Sequence, residues 1–232
     1  MTCARYRNTL FRMQDNFTIA DFRNAFFEYR TVFEEPIFRF WNGERQVEMV
    51  AALHKALSPW GIGLEGMSWN QSAKNLGEIQ LTIGVPSLSA TIQVGVGGVT
   101  MSANNPDWSH ATQYATLFQT ALDTLKAKIE QEFQAQQATL AFHLAPGAKP
   151  FRDLLMNFVK TADFASEDAK MFGVSAYYSD FSFVIDASLL VPDGVFVKLN
   201  RIFPSRLRFE HMADALFRDE QNVLARLGSK LQ

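Results

Sequence analysis

A chain of 232 residues is long enough to bury a sizeable core, as one large domain or two small ones. Its apolar content of 47% and charged content of 20% are those of an ordinary soluble globular protein. A net charge of -2 lacks the positive excess that binding to phosphate backbones requires, so we expect no nucleic-acid partner.

The cysteine count and the N-terminus suggest a compartment. A single cysteine, Cys3, excludes an internal disulfide framework and zinc sites built from several cysteines of this chain. A reducing environment fits, and we expect a cytoplasmic protein. No stretch approaches the roughly 18 uninterrupted apolar residues of a membrane span. Arg5, Arg7 and Arg12 argue against a secretory signal, and leave a solvated arm or an organelle transit peptide as alternatives.

The first predicted element is a short helix from Thr18 to about Tyr29, which Asn16 can cap. Four apolar residues would share one of its faces: Ile19, Phe22, Phe26 and Tyr29. We therefore interpret residues 1–30 as an arm and a short helix without a counterpart later in the chain. Val32 to Trp41 then reads as extended, because it is rich in β-branched and aromatic residues.

The first half continues with a helix, several strands and a second helix. A helix is predicted from Glu44 to Ser58 and a longer amphipathic helix from Asp107 to Phe133, where apolar residues recur three or four apart. Between them, alternating apolar and polar residues predict strands, of which the first is the weakest: Leu64 to Asn70, Glu78 to Val85, Leu88 to Val96 and Val99 to Met101.

The second half repeats this order. It begins with a strand from Ala138 to Leu144 and a helix from Lys149 to about Thr161. Three strands are predicted next: Met171 to Tyr178, Asp180 to Leu190 and Val195 to Phe203. The final helix runs from Arg206 to Leu227, with Gly228 as its C-terminal cap.

Each half therefore reads as β-α-β(3-4)-α, which predicts an α+β protein with an internal duplication. The tandem units would occupy residues 31–134 and 135–232, and each would pack an antiparallel sheet against a long amphipathic helix. This order resembles that of the TATA-binding-protein-like and helix-grip folds, in which a curved antiparallel sheet wraps a long C-terminal helix. Saddle proteins of this order that bind DNA need a basic concave face, and Glu78, Gln80 and Gln93 are not basic. Helix-grip proteins often hold an apolar ligand between sheet and helix.

Glycine and histidine patterns predict neither a cofactor nor a metal. Gly61-Ile62-Gly63-Leu64-Glu65-Gly66 matches the dinucleotide-binding pattern, but it follows a helix and opens a strand. We interpret it as a helix stop and a turn, and expect no cofactor. No pair of the four histidines has metal-ligand spacing, so no metal is expected: His54, His110, His143 and His211.

Three residues are weak catalytic candidates. His110 and His211 fall in the first turns of the two long helices, and a pseudo-twofold relation between the halves could bring them to one cleft. Asp186 shares a strand face with Ser182 and Val184 and is expected to face solvent; turned inward, its pKa would rise and it could act as a general base. For all three, an ordinary surface position is the simpler explanation.

Charged residues late in the chain read as solvated faces. Arg201 is grouped with Lys198 and Asn200 on the wet side of the last strand, where the three could also bind an anion. The final helix carries charges of mixed sign, which is typical of an exposed surface: Arg218, Asp219, Glu220 and Arg226.

Three function hypotheses remain open. The first is a non-catalytic cytoplasmic protein that binds a partner through a sheet edge or through its N-terminal segment, with a homodimer as the simplest assembly. Its candidate partner-binding residues are aromatic: Phe22, Phe26, Phe27 and Tyr29. The second is a binder of a small apolar ligand in a cavity lined by some of the 21 phenylalanines. The third is an enzyme that uses His110, His211 or Asp186.

Overall fold

The structure is a computed structural model that describes residues 22–38, 43–70, 75, 78–107, 110–130, 133–144, 173–204 and 207–229, without the side chains of residues 22, 23, 111 and 224–229. The described residues form a mixed α+β fold with an antiparallel sheet and three helices. The helices are α1 (Gly43–Leu57), α2 (Ala111–Ile129) and α3 (Phe209–Ser229). The strands are β1 (Phe22–Phe33), β2 (Met67–Trp69), β3 (Gln80–Val85), β4 (Ala90–Gly95), β5 (Gly98–Asn104), β6 (Phe133–Leu144), β7 (Gly173–Tyr177), β8 (Phe181–Ala187) and β9 (Val195–Phe203).

The predicted helix from Thr18 to Tyr29 is wrong, because this part of the chain forms strand β1. Alternate residues of β1, from Ala25 to Phe33, are buried, whereas the residues between them are half-buried or exposed. Successive side chains of a strand point to opposite faces, so Phe26 and Phe27 face opposite ways. β1 pairs with β5 in antiparallel register, with Tyr29 opposite Met101. Residues 1–21 and 39–42, which include the rest of the predicted helix and the end of the predicted extended segment, lie outside the described residues.

The chain divides into two compact units. The first unit comprises residues 26–138 and 202–214, and the second comprises the residues up to 25, 139–201 and 215 onward. The predicted division at 1–30, 31–134 and 135–232 remains a prediction; its first boundary falls inside β1.

In the first unit the strands are ordered β2-β3-β4-β5-β1-β6, with β6 contributing its residues up to Ala138. Regular alternation buries one face of β3, β4 and β5, as their patterns predict. Helix α2 buries Leu117, Leu122 and Leu125, which confirms the predicted apolar stripe. α2 also packs against α1.

An aromatic cluster forms the centre of the first unit. Phe27 stacks on Phe118 of α2 at 6.1 Å between ring centroids. Phe209, the first residue of α3, meets three rings edge to face at 5.2 to 5.8 Å: Phe27, Tyr29 and Phe118. Such edge-to-face pairs stabilise a core beyond the area that they bury. The cluster therefore fixes β1, α2 and the start of α3 in one arrangement.

A buried polar contact accompanies this cluster. Tyr29 is fully buried, and its hydroxyl donates to the amide oxygen of Gln136 at 2.9 Å. The amide nitrogen of Gln136 then donates to the carbonyl oxygens of Pro204 (2.6 Å) and Leu207 (3.3 Å), so each of these polar groups has a partner. Burial raises the pKa of the Tyr29 hydroxyl to about 12.

In the second unit the strands are ordered β6-β9-β8-β7, with β6 contributing its residues from Thr139 onward. The predicted strand from Val195 to Phe203 is β9 with the same bounds. β8 and β9 form a hairpin in which Ala187 lies opposite Val195, so its connection is residues 188–194 and not a two-residue turn at Asp193-Gly194. Within it Asp193 adopts φ 55°, and the Ser188 N–H donates to the Gly194 carbonyl at 2.8 Å. The core holds residues from every strand of this unit and from α3, among them Phe142, Ile185, Val197, Leu199 and Val223.

Several predicted bounds need correction. The helix predicted from Asp107 to Phe133 is α2, which ends at Glu130 in a left-handed conformation of φ 59°. Phe133 instead opens β6, which therefore starts five residues before Ala138. α3 continues to Ser229, so Gly228 lies inside the helix and is not its cap. The helix predicted from Lys149 to Thr161 lies outside the described residues.

The glycine pattern near residue 61 is a helix stop and a turn, as interpreted from the sequence. Gly61 adopts φ 71°, and its N–H donates to the Ser58 carbonyl at 3.0 Å. A short turn at Leu64–Gly66 then leads into β2. The pattern therefore lacks the strand before it and the helix after it that phosphate binding requires.

We expect Phe118→Ala to lower the free energy of unfolding by about 3–5 kcal/mol, because it leaves a cavity among Phe27, Tyr114 and Phe209. Phe217→Ala is the matched control, since Phe217 is only half-buried. Urea unfolding should show a smaller loss for the control. Equal losses for the two variants would contradict the central position of the aromatic cluster.

Candidate functional site

Strand alternation places Arg201 on the helix-facing side of β9. Val197 and Leu199 are buried on this side, whereas Lys198 is exposed on the other. The predicted grouping of Arg201 with Lys198 and Asn200 on one wet face is therefore wrong, because residues an odd number apart in a strand face opposite ways.

Two carboxylates hold the Arg201 guanidinium. Its Nε and Nη2 donate to Asp219 Oδ2 and Oδ1 of α3 at 2.5 and 2.7 Å, and its Nη1 donates to Asp180 Oδ2 at 2.8 Å. The bidentate contact matches the planar fork of arginine to the two oxygens of one carboxylate. Hydrogen bonding to Asp219 is the main reason that the pKa of Arg201 is raised, so this side chain remains charged.

The same guanidinium lies over the ring of Phe181, with 5.1 Å from its central carbon to the ring centroid. Phe181 in turn stacks on Tyr178 at 6.0 Å, and Tyr178 N–H donates to the Phe181 carbonyl at 2.7 Å. We call Asp180, Phe181, Arg201 and Asp219 the arginine brace. Because it binds the β7–β8 turn to β9 and α3 by ionic and cation–π contacts, it holds the end of the β7–β8 hairpin in place.

Beside the brace lies β7, the last strand in the order of the second unit. Its five residues, Gly-Val-Ser-Ala-Tyr, include no charged side chain and no proline. Gly173, Ser175 and Tyr177 are exposed, while Val174 and Ala176 pack partly against the core. Tyr177 is 77% exposed and the next residue, Tyr178, is 57% exposed. We call β7 with these two tyrosines the β7 edge.

Two acidic residues of α3 are buried, contrary to the expectation that its charges are exposed. Asp219 is 8% and Glu220 6% exposed. Burial raises the pKa of Glu220 to about 7, so this carboxyl is close to half-protonated at neutral pH. The neighbouring Gln221 buries its Nε2, which has no hydrogen-bond partner among the residues that the structure describes.

Of the three weak catalytic candidates, His110 directly precedes α2, His211 lies in α3 and Asp186 lies in β8. Nδ1 of His110 lies 3.8 Å from Asp107 Oδ2, and His211 is exposed on α3. In the described part of the chain no hydrogen bond or ion pair joins the two histidines. Asp186 is half-buried, its Oδ1 accepts from the Ala187 N–H at 2.7 Å, and its carboxyl lies against the Cα of Gly173 in β7. Their catalytic roles remain predictions.

Strand alternation places the aromatic candidates for partner binding on opposite faces of β1. Phe27 and Tyr29 lie in the aromatic cluster and are buried by the chain itself. Phe26 is half-buried on the opposite face of β1. Phe22 begins β1, and its side chain lies outside the described set.

A histidine–serine contact that the sequence did not indicate lies in the second unit. Nδ1 of His143 lies 2.8 Å from Ser188 Oγ. The same oxygen accepts hydrogen bonds from the backbone N–H groups of Val191 (2.8 Å) and Leu190 (3.1 Å). With both lone pairs occupied, the hydroxyl proton is directed to Nδ1. Burial lowers the pKa of His143, which favours this neutral acceptor form. These contacts order the β8–β9 connection.

The described residues contain no group of three His, Cys, Asp or Glu side chains that could hold a metal ion. None of their helices is both long enough and apolar enough to cross a bilayer.

No protein-family model and no curated protein matches this chain. Among solved structures, the chain is similar to TBP of Methanococcus jannaschii at 14% sequence identity and a TM-score of 0.35. The alignment covers 89% of this chain and 98% of the other. A likeness at this level assigns no residue of the site.

We expect Asp219→Asn to lower the free energy of unfolding by about 2 kcal/mol, because it weakens the charge-assisted pair to Arg201 at a buried position. Asp180→Asn is the matched control. Its carboxylate is 59% exposed, so its loss should stay below about 1 kcal/mol. Urea unfolding of both variants checks this, and a loss for Asp180→Asn as large as that for Asp219→Asn would contradict it.

Glu220 should make stability fall as pH rises. The folded state binds this proton more tightly than the unfolded chain, so between pH 4.5 and about 7 the unfolded chain releases it first. Over that window this residue should lower the free energy of unfolding by up to about 3 kcal/mol, with no further change above it.

Glu220→Gln should remove this slope and be more stable than the wild type at pH 8. Glu210→Gln, at an exposed position of the same helix, is the control and should keep it. Denaturant unfolding from pH 4.5 to 8 measures the difference between each variant and the wild type. Parallel curves for Glu220→Gln and the wild type would show that the carboxyl is solvated.

Proposed function

We propose that this chain is a non-catalytic cytoplasmic binding protein whose partner adds an extended segment to the β7 edge. The observation that carries this proposal is an exposed, uncharged edge strand next to two exposed tyrosines. Strand addition is a common mode of peptide recognition, in which main-chain hydrogen bonds give affinity and side-chain contacts give specificity.

The direction of the backbone groups of β7 supports strand addition. The bond from Tyr178 N–H to the Phe181 carbonyl makes residues 178 and 181 a hydrogen-bonded pair. Such pairs alternate along an antiparallel ladder, and Ser175 lies opposite Val184 in this one. The N–H and C=O groups of residues 174, 176 and 178 therefore point to β8. Those of Gly173, Ser175 and Tyr177 point away from it, toward an added strand.

The composition of β7 supports the same proposal. Proteins usually protect edge strands with charged residues, proline, bulges or very short length. At the other end of the order, β2 is protected by its length of three residues. β7 has five residues without a charge or a proline. An edge left in this state is consistent with a strand-binding role.

The arginine brace favours binding because it keeps the β7 edge ordered before a partner associates. A partner strand loses less free energy on an edge that is already ordered, because fewer groups must be fixed at association. Tyr177 and Tyr178 point to opposite faces of the hairpin, so an added strand would meet one aromatic side chain on each face. Tyrosine is among the residues that contribute most to binding when buried at an interface.

We also infer that the two halves derive from one duplicated unit. Each half opens with a 12-residue strand, β1 or β6, which neighbours the last strand of its own half, β5 or β9. The remaining strands follow outward in reverse chain order, and a long helix ends each half. β2 has no equivalent among the described residues of the second half. These parallels support the duplication without sequence similarity between the halves.

Site-specific photo-crosslinking tests the binding proposal. A benzoylphenylalanine at position 177 of the full chain should form an adduct on irradiation in host cells. The same group at position 47, which is exposed on α1, should not form this adduct. Ser175→Pro removes an outward N–H without removing a bond to β8, and edge strands tolerate proline there. It should abolish the adduct, whereas Ser175→Ala should preserve it.

The crosslinking result either supports strand addition or overturns it. An adduct that depends on position 177 and on the N–H of residue 175 supports strand addition, and its mass identifies the partner. No adduct at 177, or an adduct that Ser175→Pro leaves unchanged, would overturn the proposal.

A further inference from the structure

We propose that the strand added to the β7 edge is β7 of a second copy of this chain, paired antiparallel about a twofold axis at Ser175. This inference rests on the proposed function and names its partner. It is argued from the register that two copies of β7 allow, from the side chains which that register brings together, and from the charge of the edge.

Full overlap of the two five-residue strands sets the register. Ser175 then lies opposite the partner's Ser175, and Gly173 lies opposite the partner's Tyr177. The residues whose backbone groups point away from β8 are Gly173, Ser175 and Tyr177, and this register pairs them only with one another. Each of the three pairs exchanges two hydrogen bonds, so all outward N–H and C=O groups of β7 become satisfied.

The side chains fit this register. The largest exposed side chain of β7, Tyr177, meets the residue without a side chain, Gly173 of the partner subunit. An aromatic ring that covers a cross-strand glycine shields backbone atoms that would otherwise be exposed to solvent. The carboxyl of Asp186 bounds the space over Gly173, so the incoming ring would lie beside it. On the core side, Val174 would meet the partner's Ala176, and both are apolar.

The lack of charge on β7 favours a second copy as the partner, and the small contact area limits its affinity. Because β7 carries no charge, two copies bring no like charges together across the axis, although the whole chain has a net charge of -2. A contact of five residues on each side is below the roughly 1,200 Å² of a stable interface. We therefore expect a transient dimer that dissociates on dilution.

A charge exchange at the axis tests the inference. In the proposed dimer residue 175 faces its own copy, so Ser175→Lys and Ser175→Glu should each place like charges opposite one another and give monomers. An equimolar mixture of the two variants should re-associate as a Lys–Glu pair, which native mass spectrometry distinguishes from either homodimer by mass. Sedimentation of the full-length wild type at increasing concentration should show a reversible dimer.

Circular dichroism first establishes that both variants fold, and Ser175→Thr serves as an uncharged control that should still dimerise. A wild type that sediments as a monomer at all concentrations overturns the inference, as does a mixture that stays monomeric although both variants fold. If the crosslink at position 177 instead captures a different protein, the binding proposal stands and the dimer inference fails. If position 177 captures nothing, both fail.

Discussion

The alternation of side chains along β1, β7 and β9 is the constraint on which the rest of the structure depends. In β9 it turns Arg201 toward α3, where Asp219 can bind it, and leaves Lys198 in solvent. In β1 it separates Phe27, which joins the aromatic cluster, from Phe26 on the other face. In the β7–β8 hairpin the same period decides which backbone groups remain directed outward, and hence what the edge can bind.

The fold could be predicted where a single period fits the sequence. The patterns of β3, β4 and β9 fit only a strand, and the apolar stripe of α2 fits only a helix. All four elements lie within the ranges predicted for them. β1 was mispredicted because its aromatic residues recur at both two- and four-residue spacing, so local pattern could not decide between strand and helix. Its pairing with β5 decided the matter, and the paired residues lie 66 (Val32 and Gly98) to 78 (Phe26 and Asn104) positions apart in the chain.

The candidate site was harder to predict, because the burial and pairing of its residues depend on partners in other elements. Asp219 and Glu220 look like surface charges on an amphipathic helix. Asp219 is tolerated inside because Arg201, eighteen residues earlier, supplies two hydrogen bonds. Glu220 adjoins the apolar stripe of Leu216 and Val223, which are four and three residues away, and this spacing was the available signal that it is buried. The uncharged composition of β7 was visible in the sequence, but not that β7 ends the strand order.

The brace and the edge complement each other energetically. A strand with one unpaired side tends to fray, because half of its backbone groups gain nothing from folding. Arg201 counteracts fraying at the turn by contacting Asp180, Phe181 and Asp219 together, from the helix-facing side of the hairpin. Stabilisation from that side does not involve the outward N–H and C=O groups of Gly173, Ser175 and Tyr177, which bond to no strand among the described residues. The hairpin can thus be ordered while its edge still has hydrogen bonds to offer, which is the condition that strand addition requires.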